Sequence, residues 1–362
     1  MRRLLKILYL LTTTLLIVLV ALIVISNFGP LSARVDDGAN HLISAIKSEV
    51  AANFPAPSGE KPETVSSTPS PSAASAPSQD GWGKTGMDGI TVYEYGRSLL
   101  ADNEQRSCYD QIAAAVLAVN GSVKINASLD PLTLEDIYKY YFCDHTENFY
   151  LSNVSMAYSY TQIGSVKKYE SYTFTFTYSY DKGTVANMRA QMGALALKML
   201  SAANGITGDE AKERALHDAL VGAVHYDNDA AVNAQSHPES FTAYGALVNN
   251  TAVCDGYAKS MKLLLDSAGV KSIYVSGTAT NDSGTASHAW DMAQVAGKWY
   301  YLDPTFDDPV FYNSNNQYVN KNEIEHTYFN YKSNSDHTLG TFNSSDPFSD
   351  TSENYAVMPS VG

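Results

Sequence analysis

The sequence predicts an α+β fold in which a helix packs on an antiparallel sheet. Residues 172–180 alternate aromatic and hydroxyl side chains, which is typical of a half-buried strand. Residues 254–268 place apolar side chains on one stripe at helical spacing. Residues 287–295 and 298–303 read as two strands joined by the turn Ala296-Gly297. One helix and one hairpin therefore lie close together in the chain.

Length and composition limit the class of protein. A chain of 362 residues allows two or three domains and a core that needs no covalent staples. Three cysteines permit at most one bridge, which excludes a disulfide-rich scaffold. The chain has 24 Lys and Arg against 38 Asp and Glu, a net charge of −14. Nucleic-acid binding needs a basic surface, so we expect no nucleic-acid partner.

The N-terminus has the features of a membrane anchor. Residues 7–26 contain no charged side chain, and a helix of about twenty residues spans the apolar core of a bilayer. The apolar stretch of a cleaved signal peptide is shorter, about 7–15 residues, although the weak site Ser32-Ala33 leaves cleavage open. Arg2, Arg3 and Lys6 precede the span. We predict a single transmembrane helix in the cell membrane, a cytoplasmic N-terminus, and the rest of the chain outside the cytoplasm.

A proline-rich spacer separates the anchor from the folded part. Residues 55–77 hold six of the thirteen prolines and cannot bury apolar surface. The glycine-rich residues 81–89 read as its continuation. We predict five segments: a cytoplasmic stub and anchor (1–30), a juxtamembrane segment and linker (31–89), a small α+β domain (90–181), a second domain (182–310) and a polar C-terminal extension (311–362).

The first domain is predicted to contain two helices and a pair of strands. Apolar side chains recur at helical spacing over residues 112–119. Thr133 begins the second helix, with Asp136 as a weak capping partner. Residues 150–160 are the expected partner of the strand at 172–180.

The second domain is predicted to open with two further helices. The first covers residues 184–203, and the capping box formed by Thr207 and Glu210 begins another that runs to about residue 224. After the helix at 254–268, residues 272–276 read as a short strand.

Cys254 is the cysteine best placed for chemistry. It begins a helix, where the positive end of the helix dipole favours a thiolate. A buried structural cysteine is the alternative interpretation. Cys108 lies on the apolar stripe of a helix and Cys143 ends the next helix, so a bridge between these two is an open alternative.

The hairpin brings an imidazole and a carboxylate together. With Ala296-Gly297 as the turn, Trp290 opposes Asp303 and His288 is the diagonal neighbour, so the three side chains share one face. A thiol, a general base and an acid that orients the base are the parts of a nucleophilic site. Taken singly, His288 is also an ordinary strand residue, Asp303 the start of a turn, and Trp290 a core residue.

These segments resemble a known family. The patterns are V-C-D-G-Y-A at the helix start, H-A-W on the first hairpin strand and W-Y-Y-L-D-P-T after the turn. They resemble the bacterial transglutaminase-like (papain-related) superfamily, strongly over 216–308 and weakly over 90–215 and 309–345. The resemblance implies a helix that bears Cys packed on an antiparallel sheet that bears His and Asp. It places the catalytic triad at Cys254, His288 and Asp303. Two tail segments, 326–330 and 336–337, also resemble such proteins.

The chain departs from the family pattern at one position, and the second hydrogen-bond donor to the oxyanion has still to be assigned. Many relatives have Asn after the Trp, whereas this chain has Asp291, which alternation places on the opposite face from the triad. The backbone N–H of Cys254 is the natural first donor to an oxyanion. Tyr226 and Tyr244 are candidates for the second donor, with core packing as the alternative for each.

The sequence predicts an exported enzyme that acts on amide bonds. We expect a cysteine-dependent acyl-transfer enzyme that hydrolyses a peptide, isopeptide or side-chain amide through a thioester, acting on a peptide or protein such as cell-wall peptide. A protein-crosslinking transglutaminase and a non-catalytic surface module that binds a partner are the alternatives.

No metal or other cofactor is expected from the sequence. Cys254 and His288 lack the second Cys/His pair of a zinc site. Asp307-Asp308 lacks the spaced ligand loop of a calcium site. His217 and His225 lie on or at the end of a helix and are interpreted as structural.

Overall fold

Helices and strands are mixed along the chain, which confirms the predicted α+β class. The computed structural model describes residues 81–281, 284–308, 310–312, 318–320, 324–333, 335–340 and 354–362. They belong to one compact unit, residues 73–362. The predicted anchor at 7–26 and spacer at 55–77 lie outside the described residues. No described helix is both long and apolar enough to cross a membrane. The predicted division at residues 181 and 182 stays a prediction.

The helices follow the expected order. Within the described residues they are α1 (Tyr95–Leu99), α2 (Asn103–Leu117), α3 (Pro131–Asp144), α4 (Lys182–Leu200), α5 (Asp209–Ala223), α6 (Asn228–Val232), α7 (Ala243–Asn249) and α8 (Cys254–Ser267). Short 3₁₀ turns occupy Ser201–Ala203 and Pro238–Phe241.

The strands form one four-stranded, one three-stranded and several two-stranded sheets in the described part of the chain. The strands are β1 (Trp82–Lys84), β2 (Thr91–Tyr93), β3 (Ser122–Ile125), β4 (Leu151–Ile163), β5 (Val166–Tyr178), β6 (His225–Tyr226), β7 (Thr251–Ala252), β8 (Ser272–Asn281), β9 (Gly284–Val295), β10 (Lys298–Leu302), β11 (Val310–Tyr312), β12 (Tyr318–Asn320) and β13 (His337–Leu339). The four-stranded sheet has the order β10-β9-β8-β13, and all its neighbouring strands are antiparallel.

The predicted alternation of the first domain is confirmed. Tyr172, Phe174 and Phe176 are buried, whereas Thr175 and Thr177 between and beyond them are exposed. β5 pairs with β4 on one side and with the short β3 on the other. The half-buried strand is therefore the centre of a three-stranded sheet.

The hairpin register is the one predicted. Val295 pairs with Lys298 and Asp291 with Leu302, so the turn is Ala296-Gly297. Both turn residues have positive φ, 49° for Ala296 and 81° for Gly297, as a type I′ turn requires. The ladder ends at this pair, and continuing the same register by one residue on each strand would bring Trp290 opposite Asp303.

The helix α8 packs on the four-stranded sheet. Its buried stripe includes Ala258, Met261 and Leu265, as predicted. Ala258 and Cys254 lie in one apolar cluster with Ala289 of β9. The predicted helix-on-sheet core is therefore present.

Two predicted helix starts differ from the structure. Helix α3 begins at Pro131, and the Asp130 carboxylate accepts from the Thr133 N–H, so Asp130 is the cap rather than Thr133. Helix α5 begins at Asp209, and the Thr207–Glu210 capping box does not form because Gly208 occupies the cap position with a φ of 92°.

The predicted linker ends earlier than expected. β1 pairs with β2, and Met87 between them is buried in the core. The N–H of Tyr93 donates to Asp266 Oδ2 of α8 at 2.8 Å, which holds β2 on the Cys-bearing helix. Residues 81–89 therefore belong to the folded part of the chain, because this turn supplies apolar side chains to the core.

The C-terminal extension contributes a strand to the main sheet. β13 pairs with β8, with Thr338 opposite Thr278 and Leu339 opposite Gly277. Asn354 fixes the region further, since its side chain accepts from the Ser276 N–H and donates to the Gly340 carbonyl. Part of the extension is thus an edge of the sheet that carries the hairpin.

Replacing Gly277 with alanine should loosen this edge. A Cβ at 277 would overlap the Thr338 carbonyl oxygen and lie 2.7 Å from the Gly340 nitrogen. We expect a loss of roughly 1–3 kcal/mol in the free energy of unfolding, measured by urea titration, and faster amide exchange in β13. Gly121→Ala is the control, because a Cβ there meets nothing within 4 Å. Equal stability of the two variants would contradict the expected clash.

Candidate active site

The start of α8 holds Cys254 at the first helical position. Val253 precedes it in an extended conformation, and the Val253 N–H donates to the Ser240 carbonyl at 2.9 Å. A Cβ at position 256 would lie 2.6 Å from the Ser240 carbonyl oxygen, so only glycine permits this close approach. The V-C-D-G pattern therefore sets the helix start tightly against the Pro238–Phe241 turn, and Cys254 remains partly exposed there.

His288 and Asp303 meet at the open end of the hairpin. His288 Nε2 lies 2.6 Å from Asp303 Oδ2. His288 is 9% exposed and Asp303 is fully buried. The imidazole also stacks on the Trp290 ring, with 5.9 Å between the ring centroids. The structure therefore brings together the two residues that the hairpin register placed on one face.

The thiol of Cys254 lies near enough to the same imidazole to affect its pKa. Burial lowers the pKa of His288, but the charge and hydrogen bond of Asp303, together with the hydrogen bond and charge of Cys254, raise it to about 10. Since Nε2 is held by Asp303, Nδ1 is the nitrogen left for the thiol. The raised pKa favours the imidazolium form of His288 at neutral pH.

Asp303 is held by four donors. Its Oδ1 accepts from the N–H groups of Thr305 at 2.9 Å and Phe306 at 3.1 Å. Its Oδ2 faces His288 at 2.6 Å and His337 at 2.8 Å. Burial alone would raise the pKa of Asp303, but the two histidines lower it below its ordinary value. The carboxylate is therefore ionised and fixed in orientation.

His337 is a site residue that the sequence analysis did not identify as one. It comes from β13 and reaches Asp303 across the sheet. Its ring lies 4.9 Å from the rings of both Trp290 and Phe306, measured between centroids. The resemblance of residues 336–337 to the tail of the family was the signal in the sequence. Nothing local connects that segment to the hairpin, because it pairs with β8 at long range.

The two candidate oxyanion donors differ in their surroundings. Burial, then the negative charges of Cys254 and Asp303, raise the pKa of Tyr226, so its hydroxyl keeps its proton. The hydroxyl of Tyr244 donates instead to Gln191 Oε1 at 2.9 Å, and its ring packs on Phe149. The hydroxyl of Tyr244 is thus engaged within the core, and the assignment of Tyr226 or Tyr244 as the second donor stays a prediction.

Asp291 lies within the protein beside the site. Strand alternation places it on the opposite face of β9 from His288, as expected. It is fully buried, neither carboxylate oxygen has a hydrogen-bond partner, and burial raises its pKa well above the ordinary value. Asp291 is therefore neutral and adds no second negative charge next to Asp303.

The other two cysteines are buried far from solvent. Cys108 and Cys143 are not joined by a disulfide and are each 1% exposed, so the bridge left open by the sequence is not formed. Burial raises the pKa of Cys108 to about 11. A thiol reagent should therefore find one reactive cysteine among the three.

Alkylation by iodoacetamide should reveal the charge state of Cys254. Because the pKa of His288 is raised to about 10, its imidazolium persists below that pH and is lost above it. The thiolate beside it should react at pH 6 faster than a free thiol, whose pKa is about 8.5, and the rate should stay nearly level through the neutral range. The measurement is the labelling rate at each pH by mass spectrometry. A rate that climbs through the neutral range like that of a free thiol would contradict the ion pair.

Removing His337 should weaken the site without removing the triad. In His337→Leu, Asp303 loses one donor, and a hydrogen bond to a charged group contributes about 1.5–3 kcal/mol. We expect kcat/KM to fall about 10- to 100-fold. The pH profile of Cys254 alkylation should have an inflection where His288 loses its proton. This inflection should also move to higher pH, because Asp303 then attracts the His288 proton more strongly. His337→Gln retains an N–H donor and should recover part of the loss, which a purely structural role would not require.

Two groups of side chains in the described residues bring three metal-ligating atoms within 4.8 Å of one another. One is His288, Asp303 and His337 at the site itself, and the other is His217, Asp218 and His326. The sequence analysis expected neither, because both depend on tail histidines far along the chain.

Part of the chain is similar to known proteins. Residues 198–304 match the family described as the Transglutaminase-like superfamily. No curated protein matches the chain. A crystal structure of a TGase is 16% identical, with a TM-score of 0.30, and the match covers 42% of this chain and 45% of that one. The periplasmic domain of TgpA from Pseudomonas aeruginosa is 20% identical, with a TM-score of 0.23, covering 39% and 55%.

The present chain thus spans about half the length of each of these two structures. The matched segment, residues 198–304, includes Cys254, His288 and Asp303. It begins in α4 and ends directly after β10. Residues 198–304 therefore form a transglutaminase-like superfamily domain.

Proposed function

We propose that the chain is a cysteine-dependent acyl-transfer enzyme that hydrolyses a peptide, isopeptide or side-chain amide. One observation carries the proposal. His288 Nε2 lies 2.6 Å from Asp303 Oδ2, and the Cys254 thiol is near enough to raise the pKa of the same imidazole. A thiol at a helix start, a base and an orienting carboxylate are the parts that nucleophilic catalysis requires.

The reaction proceeds in two halves. The Cys254 thiolate attacks the carbonyl carbon of the amide, and the oxyanion that forms accepts hydrogen bonds from the Cys254 N–H and the Tyr226 hydroxyl. The His288 imidazolium then gives its proton to the leaving amine, and a thioester remains. In the second half His288 takes a proton from water as the water attacks the thioester. The products are an amine and a carboxylic acid, and the thiolate is restored.

The nature of the acceptor separates hydrolysis from crosslinking. An amine in place of water gives a new amide by the same steps, which is the transglutaminase outcome. We favour water, because the cysteine is partly exposed and water is in excess at an exported site. Peptide or protein substrates, including cell-wall peptide, fit this chemistry.

A substrate screen tests the proposal. Wall-derived peptides and glutamine-containing peptides are incubated with the full chain, with and without a primary alkylamine, and products are identified by mass spectrometry. We expect a carboxylic acid product and an acyl adduct on Cys254 in both arms. A new amide as the main product in the amine arm would support crosslinking instead. Absence of both products and of the adduct would leave a non-catalytic binding module as the better account.

We also propose that the folded part lies outside the cytoplasm, attached through residues 7–26. The apolar length of that segment and the preceding basic residues support the orientation. Protease added to intact cells should release the folded part by cleavage in the spacer at 55–77. Full protection in intact cells, with cleavage only after lysis, would place it inside.

A further inference from the structure

We propose that His217, Asp218 and His326 form a binding site for a divalent transition-metal ion, with Zn²⁺ as the best match. Helix α5 supplies the first two residues, and the C-terminal extension supplies the third. The site is separate from the triad and does not depend on the proposed reaction.

The three side chains converge on one point. His217 Nδ1 lies 3.1 Å and His326 Nε2 2.6 Å from the same oxygen, Asp218 Oδ1. All three ligand atoms lie within 4.8 Å of one another. Ligand atoms at about 2.1 Å from a tetrahedral ion are separated by about 3.4 Å, so a small opening of the Asp218–His326 contact would admit the ion.

The surroundings of His217 provide an independent observation. Its side chain is fully buried between two carboxylates, with Asp218 at Nδ1 and Asp307 Oδ2 at 3.2 Å from Nε2. The contact with Asp307 is not a hydrogen bond, and both atoms lack a hydrogen-bond partner. A neutral imidazole has one N–H and cannot donate to both carboxylates.

A metal ion would give both ring nitrogens of His217 a partner. When the ion takes Nδ1, the proton of His217 must reside on Nε2, where it faces Asp307. A metal-ligating histidine whose other N–H donates to a carboxylate is the usual outer arrangement of such sites. Asp218 then becomes a ligand rather than an acceptor, and His326 supplies the second imidazole.

The donor set favours a transition metal. Two imidazole nitrogens and one carboxylate suit Zn²⁺, whereas Ca²⁺ and Mg²⁺ prefer oxygen ligands. The side chains of Asp218 and His326 are 38% and 24% exposed, so water can reach a fourth position. Three protein ligands and one water are a common coordination for zinc.

The ion would join the C-terminal extension to the loop that carries Asp303. The Tyr328 N–H donates to Asp307 Oδ1 at 2.8 Å, and the Asp303 N–H donates to the Tyr328 carbonyl at 2.9 Å. His326 is two residues before Tyr328. A metal at His326 therefore stabilises the backbone contacts around the catalytic carboxylate without touching it.

Cobalt absorption and thermal unfolding test the proposal. The full chain in detergent is stripped with EDTA and titrated with Co²⁺, and then Zn²⁺ is added in competition. We expect one equivalent of Co²⁺ with visible absorption typical of tetrahedral coordination, displacement by Zn²⁺, and a Zn²⁺-dependent rise in Tm. Asp218→Asn and His326→Ala, both at partly exposed positions, should weaken binding at least about tenfold.

A matched control and a second readout separate this site from the triad. His237→Ala removes a histidine that lies 2.9 Å from Asp227 but has no third ligand, and binding should be unchanged. Iodoacetamide labelling of Cys254 should proceed at the same rate with the metal bound. Binding that survives His326→Ala, or that blocks Cys254 labelling, would assign the metal to the triad group instead. Absence of Co²⁺ and Zn²⁺ binding would overturn the proposal.

Discussion

Replacing Cys254 with alanine should reduce amide cleavage to the uncatalysed level, a loss of about four orders of magnitude or more in kcat/KM. The thioester cannot form without the sulfur, and no other described thiol is accessible, because Cys108 and Cys143 are each 1% exposed. The measurement is turnover of a substrate found in the peptide screen. Labelling by iodoacetamide at pH 7 should fall from one equivalent to none in the same variant.

Cys108→Ala is the matched control for this prediction. It removes a buried thiol from the hydrophobic core around α2, so it should lower the free energy of unfolding while leaving kcat/KM and the labelling of Cys254 intact. Residual turnover in Cys254→Ala close to that of the unmodified chain would exclude Cys254 as the nucleophile.

Replacing Asp303 with asparagine should cost about four orders of magnitude in kcat. The asparagine NH₂ would donate to Nε2 of His288, so the ring proton would move to Nδ1, where it faces the thiol. The imidazole could then no longer accept a proton from that side. Loss of the negative charge also removes what raises the pKa of His288 to about 10, so burial would lower it. The inflection in the pH profile of Cys254 alkylation at which His288 loses its proton should therefore move to lower pH.

Asp144→Asn is the control matched for burial. Asp144 is fully buried and accepts from two backbone N–H groups and from the hydroxyls of Tyr109 and Tyr355. Its replacement should destabilise the fold without changing the pH profile of alkylation. A similar profile change in both variants would mean that the effect of Asp303 is general loss of structure rather than control of His288.

The parts of the site that the sequence could predict are those set by local rules. The two-residue turn at Ala296-Gly297 fixes the hairpin register, and the register alone places Asp303 opposite Trp290 and beside His288. The apolar stripe that ends at Gly269 fixes the helix that begins with Cys254. In each case the signal lies within a few residues of the structure it determines.

The remainder depends on contacts between distant segments. His337 reaches Asp303 because β13 pairs with β8, and three residues in a polar tail carry no period that would predict this pairing. Residues 81–89 read as linker because they are glycine-rich, although Met87 is buried in the main core. The failed capping box at Thr207 reflects backbone geometry at Gly208, which composition does not reveal.

The position of His337 after Cys254, His288 and Asp303 in the sequence has a consequence for biosynthesis. Because synthesis starts at the N-terminus, Cys254, His288 and Asp303 are made before β13 emerges from the ribosome. Asn354, which ties the strand to Ser276 and Gly340, emerges later still. The contact of His337 with Asp303 must therefore await synthesis through β13, so that products cut short before this strand lack that donor to Asp303.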